Sequence, residues 1–487
     1  MSNNKKALKA GFWYTVGNFV AKSMVFLTSP IFNRLMSKSE VGDFSNYSVW
    51  VTILAIVFTL DLYSAVSVAR FDYKDELDDF IGSSLILGSS ITLFFYFLAI
   101  IFANPITKWM GINKLELHIA FAYFLVCPAL QMYQLKSRIQ YKYIASTVVT
   151  LLSTIFATAG SLVAIIILED NLLGRIAGNY IPLVLFNIAI YIMLMTKARK
   201  ISTKYWKYAL AIAIPLAIHL LAGNILNLSD KIMIQNIRGN EENGLYSVAY
   251  SCGIVITVLW GSINGAWSPW AYEQMDANNL KELRKAEKVL MILWGVLVVG
   301  MMLLGPEILL IIGGKKYMEA RNVIPPVMTA YGIQAVYTFY NNIEVYSKKQ
   351  RYIAINTTLA AITNIVLNYI FINKYGYIAA AYTTLVGYIL MLILHMAVVI
   401  KIGRGNWYDS KFNVLFSLTL IVNMFIIILL YRFPIARYAL IAILAVAFLI
   451  VAIIYRRVLT EVLKTRSIRP LKEKFLSSKN GKVNDND

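Results

Sequence analysis

Charge is what this sequence is short of. Only 15% of its 487 residues are Asp, Glu, Lys or Arg, too few to cover the water-facing surface of an ordinary soluble domain. Cysteine is nearly missing as well. Cys127 and Cys252 both lie in apolar runs, which implies neither a disulfide nor a metal site. No Gly/Ser-rich or Pro-rich linker divides the chain, and no loop between apolar runs exceeds about 20 residues. A soluble catalytic domain has no room here.

What is present is hydrocarbon. Hydrophobic residues make up 59% of the chain and the mean hydropathy is +0.62. Apolar runs long enough to cross ~30 Å of bilayer follow one another along the whole length. They cover 11–33, 42–68, 80–103, 115–135, 145–168, 174–196, 209–232, 245–270, 289–312, 322–346, 353–372, 378–400, 412–431 and 438–455. The expectation is an all-α polytopic membrane protein with about fourteen transmembrane helices. The N-terminal MSNNKKALKAGFWY has a basic start with no small-residue cleavage site after it, so the first run is expected to be retained as a helix rather than removed as a signal peptide.

The distribution of the 46 basic residues orients the chain. With residues at span ends counted in the adjoining loop, 32 fall on the side that holds the N-terminus and 13 on the other, leaving Lys22 inside a span. The positive-inside rule then places both termini in the cytoplasm. The formal net charge of +20 is concentrated in those loops and in the tail RRVLTEVLKTRSIRPLKEK. It therefore points to orientation and anionic headgroups, not to nucleic acid.

An internal repeat organises the spans. A shift of 202 residues lays SEVGDFSNY (39–47) on EENGLYSVA (241–249), matching Glu40, Gly42 and Ser45 with Glu242, Gly244 and Ser247. The same shift lays NLLGRIAGNY (171–180) on NKYGYIAAAY (373–382). The repeat unit is six spans, an even number, so both units enter from the same side and are parallel repeats about an axis along the membrane normal. The expected domains are an N-lobe (1–200), a C-lobe (201–402), two added spans (403–457) and a basic cytoplasmic tail (458–487).

The stretches FNRLMSKSEVGDFSNY (32–47), SDKIMIQNIRGNEENGLYSVAY (229–250) and ITNIVLNYIFINKYGYIAAAYTTLVGY (362–388) resemble the polysaccharide flippases, the Wzx-like branch of the superfamily that also holds the MATE exporters and the lipid II flippases. The resemblance implies a V-shaped pair of six-helix lobes in a bacterial plasma membrane. It also implies a substrate, an undecaprenyl-diphosphate-linked oligosaccharide moved from the inner to the outer leaflet for O-antigen, capsule or another surface glycan. Polysaccharide polymerase and chain-length proteins are the further partners it suggests. No cofactor is expected, with H+ or Na+ left open as coupling ions.

Several polar residues sit where a bilayer makes them costly. Lys22 lies about 16 Å past Gly11 along a helix and shares one face with Thr15, Asn18, Ser29 and Asn33. It is expected to face a polar lumen, where it meets a diphosphate or acidic sugar or pairs with a carboxylate. Gln334, Tyr337, Asn341 and Glu344 form a second stripe, suited to sugar hydroxyls or to hydrogen bonds between helices. Asp61 lies within span 2, which Arg70 closes as either a diphosphate contact or a positive-inside anchor. Glu273 stands at the matching end of span 8, facing Arg70 across the mouth. Span 7 carries His219, Asn224, Asn227, Asp230 and Lys231, with His219 and Asp61 as candidates for ion coupling. Asp230 and Lys231 are expected to form an ion pair, structural or gating. A MATE-type exporter or a lipid II flippase remains as an alternative. A polymerase or ligase would need a larger outer loop than any present.

Overall fold

The computed structural model describes residues 26–140 and 142–454, together with Gly17, Val20, Ser23 and Met24; the side chains of His219 and of 447–454 are not among those described. Within these limits the chain is helical and contains no strand. The helices of the first half are α1 (26–35), α2 (Lys38–Thr59), α3 (Val66–Asp72), α4 (Leu77–Ile101), α5 (Ala103–Met110), α6 (Lys114–Ile139), α7 (Tyr143–Ile167) and α8 (Asn171–Met195). Those of the second are α9 (Thr203–Arg238), α10 (Asn240–Ser251), α11 (Ile254–Asp276), α12 (Leu280–Leu303), α13 (Gly305–Ile312), α14 (Ile324–Tyr346), α15 (Gln350–Tyr375) and α16 (Ile378–Lys401). Two more follow, α17 (Ser410–Leu430) and α18 (Pro434–Ile454). Residues up to Phe425 form one compact unit, and those from Ile426 form another, whose described part is the end of α17 and α18.

Eleven helices among the described residues are long and apolar enough to cross a membrane, so the protein is a multi-pass membrane protein. The expected fourteen differ from this number for identifiable reasons. Span 1 begins outside the described residues, and α18 qualifies only as a shorter apolar helix over Pro434–Val446. The tenth span exists as α14 but is less apolar than the eleven, because Thr, Gln, Tyr and Asn recur along it. Eighteen of its 23 residues are buried. A helix surrounded by protein needs no lipid-compatible face.

The repeat is visible as a contact of the chain with itself. α2 and α10 cross with Gly42 against Gly244. A Cβ on Gly42 would lie 1.9 Å from the Asn240 carbonyl oxygen, and one on Gly244 would lie 2.0 Å from that of Lys38. Asn240 and Lys38 are themselves 202 residues apart, so the two approaches are the same contact seen from either side. The Ser45 and Ser247 hydroxyls, repeat mates too, bond at 2.7 Å. Such self-matching is what a twofold axis through the crossing produces. Close approach of small residues replaces the hydrophobic drive that a bilayer removes.

The second matched motif has a partner in the first. Glu40 accepts from Asn171 Nδ2 at 3.4 Å at the start of α8, and Glu242 accepts from the Tyr377 backbone at 3.2 Å just before α16. Each half thus uses its glutamate to tie the second helix of the repeat to the sixth. Glu40 also completes a capping box with Ser37 that starts α2.

Further bonds join the halves at this end. Asp43 accepts from Gln235 at 2.6 Å and Asn240 at 3.1 Å, while Asn243 donates to the Gly42 carbonyl at 2.8 Å. Asn33 donates to the Ile312 carbonyl at 3.1 Å. Lys38 bridges Glu241 and Glu319, but such half-exposed pairs contribute only ~0–1 kcal/mol each. The backbone packing at the glycines therefore outweighs the ions. α9 is continuous over 36 residues, and its ends belong to different cores. Tyr205, Ala209 and Ala213 pack with Phe80, Leu85 and Met132 of the first half, whereas Leu226 packs with Ala360 and Met391 of the second.

Gly42→Ala or Gly244→Ala forces the helices apart and is expected to cost roughly 1–3 kcal/mol as overpacking. The control is Gly300→Ala, where nothing lies within 4 Å of the added carbon. Thermal unfolding of the purified protein checks it: both crossing variants melt well below the control.

Candidate functional site

Span 2 is not one helix. α2 ends at Thr59, Leu60 and Asp61 adopt left-handed conformations (φ 49° and 51°), a 3-10 turn covers Leu62–Ala65, and α3 follows. Neither residue is glycine, so the break costs roughly 1–3 kcal/mol at each. Irregular backbone at membrane depth is tolerated only in protein or along a water-filled cavity. A cavity lies directly beside it.

That cavity measures about 280 Å³ and is bounded by α2, the Asp61 turn, α6, α8 and α9. Thr52, Thr59, Asp61, Gln131 and Asn224 supply its polar lining, and Tyr63, Tyr123 and Tyr180 its rings. Measured along the helix from Gly42, it extends from about 15 Å at Thr52 to about 28 Å at Asp61. It therefore lies away from the end where the halves are fastened. Asp61 is 3% exposed, and its Oδ2 has no hydrogen-bond partner in the protein. The Ser64 hydroxyl donates to the Asp61 backbone carbonyl at 2.8 Å, which fastens the turn.

The second half treats its polar groups differently. Asp230 Oδ2 accepts from the Tyr246 hydroxyl at 2.5 Å and from Thr384 at 2.9 Å, in full burial. The expected ion pair with Lys231 does not form. Adjacent residues on a helix point about 100° apart, and Lys231 instead lies 5.5 Å from the Tyr250 ring. Around Asp230, Asn227 accepts from Tyr388 at 2.6 Å, Asn368 donates to Asn364 at 3.1 Å, and Thr383 bonds Asn368.

The α14 stripe also turns inward. Glu344 Oε1 meets His395 Nδ1 at 2.8 Å with both side chains fully buried, and Asn356 lies 3.4 Å from the same nitrogen. Tyr337 stacks on His395 at 5.5 Å. Glu344 is thus committed to an internal pair and is not presented to the cavity. Asn341 keeps an unbonded Oδ1, and the Gln334 backbone carbonyl accepts from the Thr338 hydroxyl at 2.7 Å.

Arg70 is exposed at the end of α3, 4.3 Å from the Phe71 ring, and Glu273 is exposed near the end of α11. The ion pairs among the described residues do not include one between them, so the expected bridge across the mouth is absent. Asn18 and Lys22 lie outside the described residues, as does the side chain of His219.

Reading the sequence missed His395, because a lone histidine in an apolar run gives no sign of its partner. It also missed the cavity's Tyr63, Tyr123, Gln131 and Tyr180, which come from three separate segments. Of the cavity lining, the sequence marks only Asp61 and Asn224 as polar residues at depth.

Known proteins agree with this architecture. One curated relative, Lsg locus putative protein 1 of Haemophilus influenzae, is 20% identical over 300 residues, covering 56% of this chain and 68% of that protein. Among solved structures, the lipid II flippase MurJ in an inward closed conformation superposes with a TM-score of 0.68 at 16% identity, over 93% of this chain and all of that one. An inward-facing multidrug resistance MATE transporter of the MOP superfamily gives 0.63 at 13% identity, over 80% of this chain and 94% of that one. At these identities the likeness is one of fold. The sequence pattern of the family described as "Polysaccharide biosynthesis protein" matches residues 7–275, more than half of the chain, and the protein belongs to that family.

Proposed function

We propose that this protein is a flippase that carries a lipid-diphosphate-linked oligosaccharide from the cytoplasmic to the outer leaflet of the plasma membrane, by alternating opening of its two halves. The observation that carries this reading is the pairing of a self-matching contact at Gly42 and Gly244 with a polar cavity at a distance from it. One end is fastened by symmetry-related backbone, and the opposite side holds space for a polar headgroup. A lipid tail can stay in hydrocarbon while its headgroup crosses, but a diphosphate and several sugars cannot enter hydrocarbon unaided. Membership of a polysaccharide biosynthesis family supports this substrate class, and the MurJ fold supports the mechanism.

The basic-residue bias places the termini in the cytoplasm and hence the Gly42–Gly244 crossing on the outer side. Lys22 is assigned to the diphosphate, since the repeat pairs it with Asn224, a residue of the cavity lining. Asn18 lies one turn away on the same face. Arg70, exposed at the inner mouth, makes first contact with the anionic headgroup. Asp230, buried with one oxygen unbonded, is the candidate group for H+ or Na+ coupling.

Three measurements test this. Oxidising Ser45→Cys/Ser247→Cys, at a site where the native hydroxyls are 2.7 Å apart, is expected to stop headgroup translocation in proteoliposomes; reduction restores it, and each single variant stays active. Lys22→Ala is expected to lower the flipping rate about tenfold or more, in line with loss of a charge-assisted contact, and an unchanged rate sinks that assignment. Asp230→Asn should abolish the response of flipping to an imposed H+ or Na+ gradient, and a response equal to wild type would remove Asp230 from coupling.

A further inference from the structure

We propose that the cavity under Asp61 is a subsite for one uncharged or amine-bearing sugar ring, and that it discriminates against carboxylated sugars. This deepens the flippase reading and rests on it. Size decides first. A single water needs about 10–15 Å³ of such space, and a bare ion needs no more, so about 280 Å³ would leave an ion unsupported on most sides. Drug-sized ligands occupy roughly 300–1,000 Å³. The space under Asp61 is just below that range, as one substituted ring requires.

The lining decides the chemistry. Asp61 offers a buried oxygen with no partner, and a carboxylate accepts from neighbouring hydroxyls or from an ammonium. The Gln131 and Asn224 amides add donors and acceptors, and the Thr52 and Thr59 hydroxyls, which donate to the Ser48 and Ala55 carbonyls, add acceptors, a mixture that suits a polyhydroxylated ring. Tyr123 and Tyr180 provide rings against which the C–H face of a sugar can lie. None of the described lining residues is Lys or Arg. A sugar carboxylate placed against Asp61 would be repelled, and low dielectric strengthens that repulsion.

The backbone agrees with a built site. Leu60 and Asp61 both hold strained left-handed conformations where the chain leaves α2, and the Ser64 hydroxyl fastens the turn by donating to the Asp61 carbonyl. Strain of this kind persists where the surroundings enforce it.

The test uses the full chain in nanodiscs and saturation-transfer NMR with methyl glucoside, methyl glucosaminide and methyl glucuronide. Wild type is expected to bind the first two and to bind the glucuronide at least tenfold more weakly. Asp61→Asn, which keeps a residue tolerant of the left-handed region, should weaken glucosaminide binding about tenfold and narrow the gap to the glucuronide. Thr59→Val, which leaves the turn intact, should weaken the neutral sugar alone. Equal binding of glucoside and glucuronide to wild type, or an Asp61→Asn profile identical to wild type, overturns the proposal. The two readings separate in a leaflet assay with a lipid-linked oligosaccharide: flipping without sugar discrimination overturns the subsite alone. Sugar discrimination without flipping overturns the flippase reading and leaves the subsite.

Discussion

Two helices cross in this protein so closely that neither can carry a side chain at the contact. At Gly42 and Gly244 the backbone of each half lies where the other's Cβ would be, and this approach sets much of what surrounds it. It brings Ser45 to Ser247, aims Asn243 at the Gly42 carbonyl and delivers Asp43 to Gln235 and Asn240. In a bilayer there is little hydrophobic gain in pressing two apolar helices together, so packing and hydrogen bonding at small residues must do the joining. Because the contact is self-matching, any displacement that loosens it for one half loosens it equally for the other. Contacts of that kind separate or close as a unit.

The halves share a plan and differ in how they use polar groups. In the second, Asp230 meets Tyr246 and Thr384, Glu344 meets His395 and Asn368 meets Thr383, while Asp230 Oδ1, Glu344 Oε2 and Asn364 Nδ2 stay unbonded. These interactions cross α9, α10, α14, α15 and α16, and buried networks of this kind hold helices in one arrangement. In the first half, the break at Asp61 leaves a carboxylate oxygen unbonded beside a cavity. What sets the first half apart is that its unbonded oxygen borders open space.

Composition and periodicity were enough to establish an all-helical membrane protein, because apolar runs of bilayer length admit few other folds. The repeat was legible for a more specific reason. Its conserved spacing marks two contacts, glycine on glycine and glutamate on the start of the sixth helix, and both demand particular residues. The site was less legible. A stripe such as Gln334, Tyr337, Asn341 and Glu344 shows that a helix face is polar, but periodicity is silent on whether that face meets solvent or another polar helix. His395 supplied the partner, from a helix 51 residues further on. The same blindness gave Asp230 to its neighbour Lys231, when helix geometry sends them to different surroundings. The interruption of span 2 was invisible because neither Leu60 nor Asp61 is a helix breaker. It is imposed by tertiary structure against local preference.

That conflict between local preference and fold bears on where function resides. A sequence in which every residue agreed with its helix would run α2 straight into α3 and fill the space beside it. Here the chain instead holds a leucine and an aspartate in conformations they disfavour, within one turn of Thr59 and facing Gln131 and Asn224 across the cavity. Removing the break would recover roughly 1–3 kcal/mol per residue and would carry the carboxylate to another face of the helix. The cavity would then lose the one acidic group among its described lining residues. The strained turn and the chemistry of the cavity are thus one feature, and the stability forgone at Leu60 and Asp61 is what positions a charged acceptor inside a membrane protein.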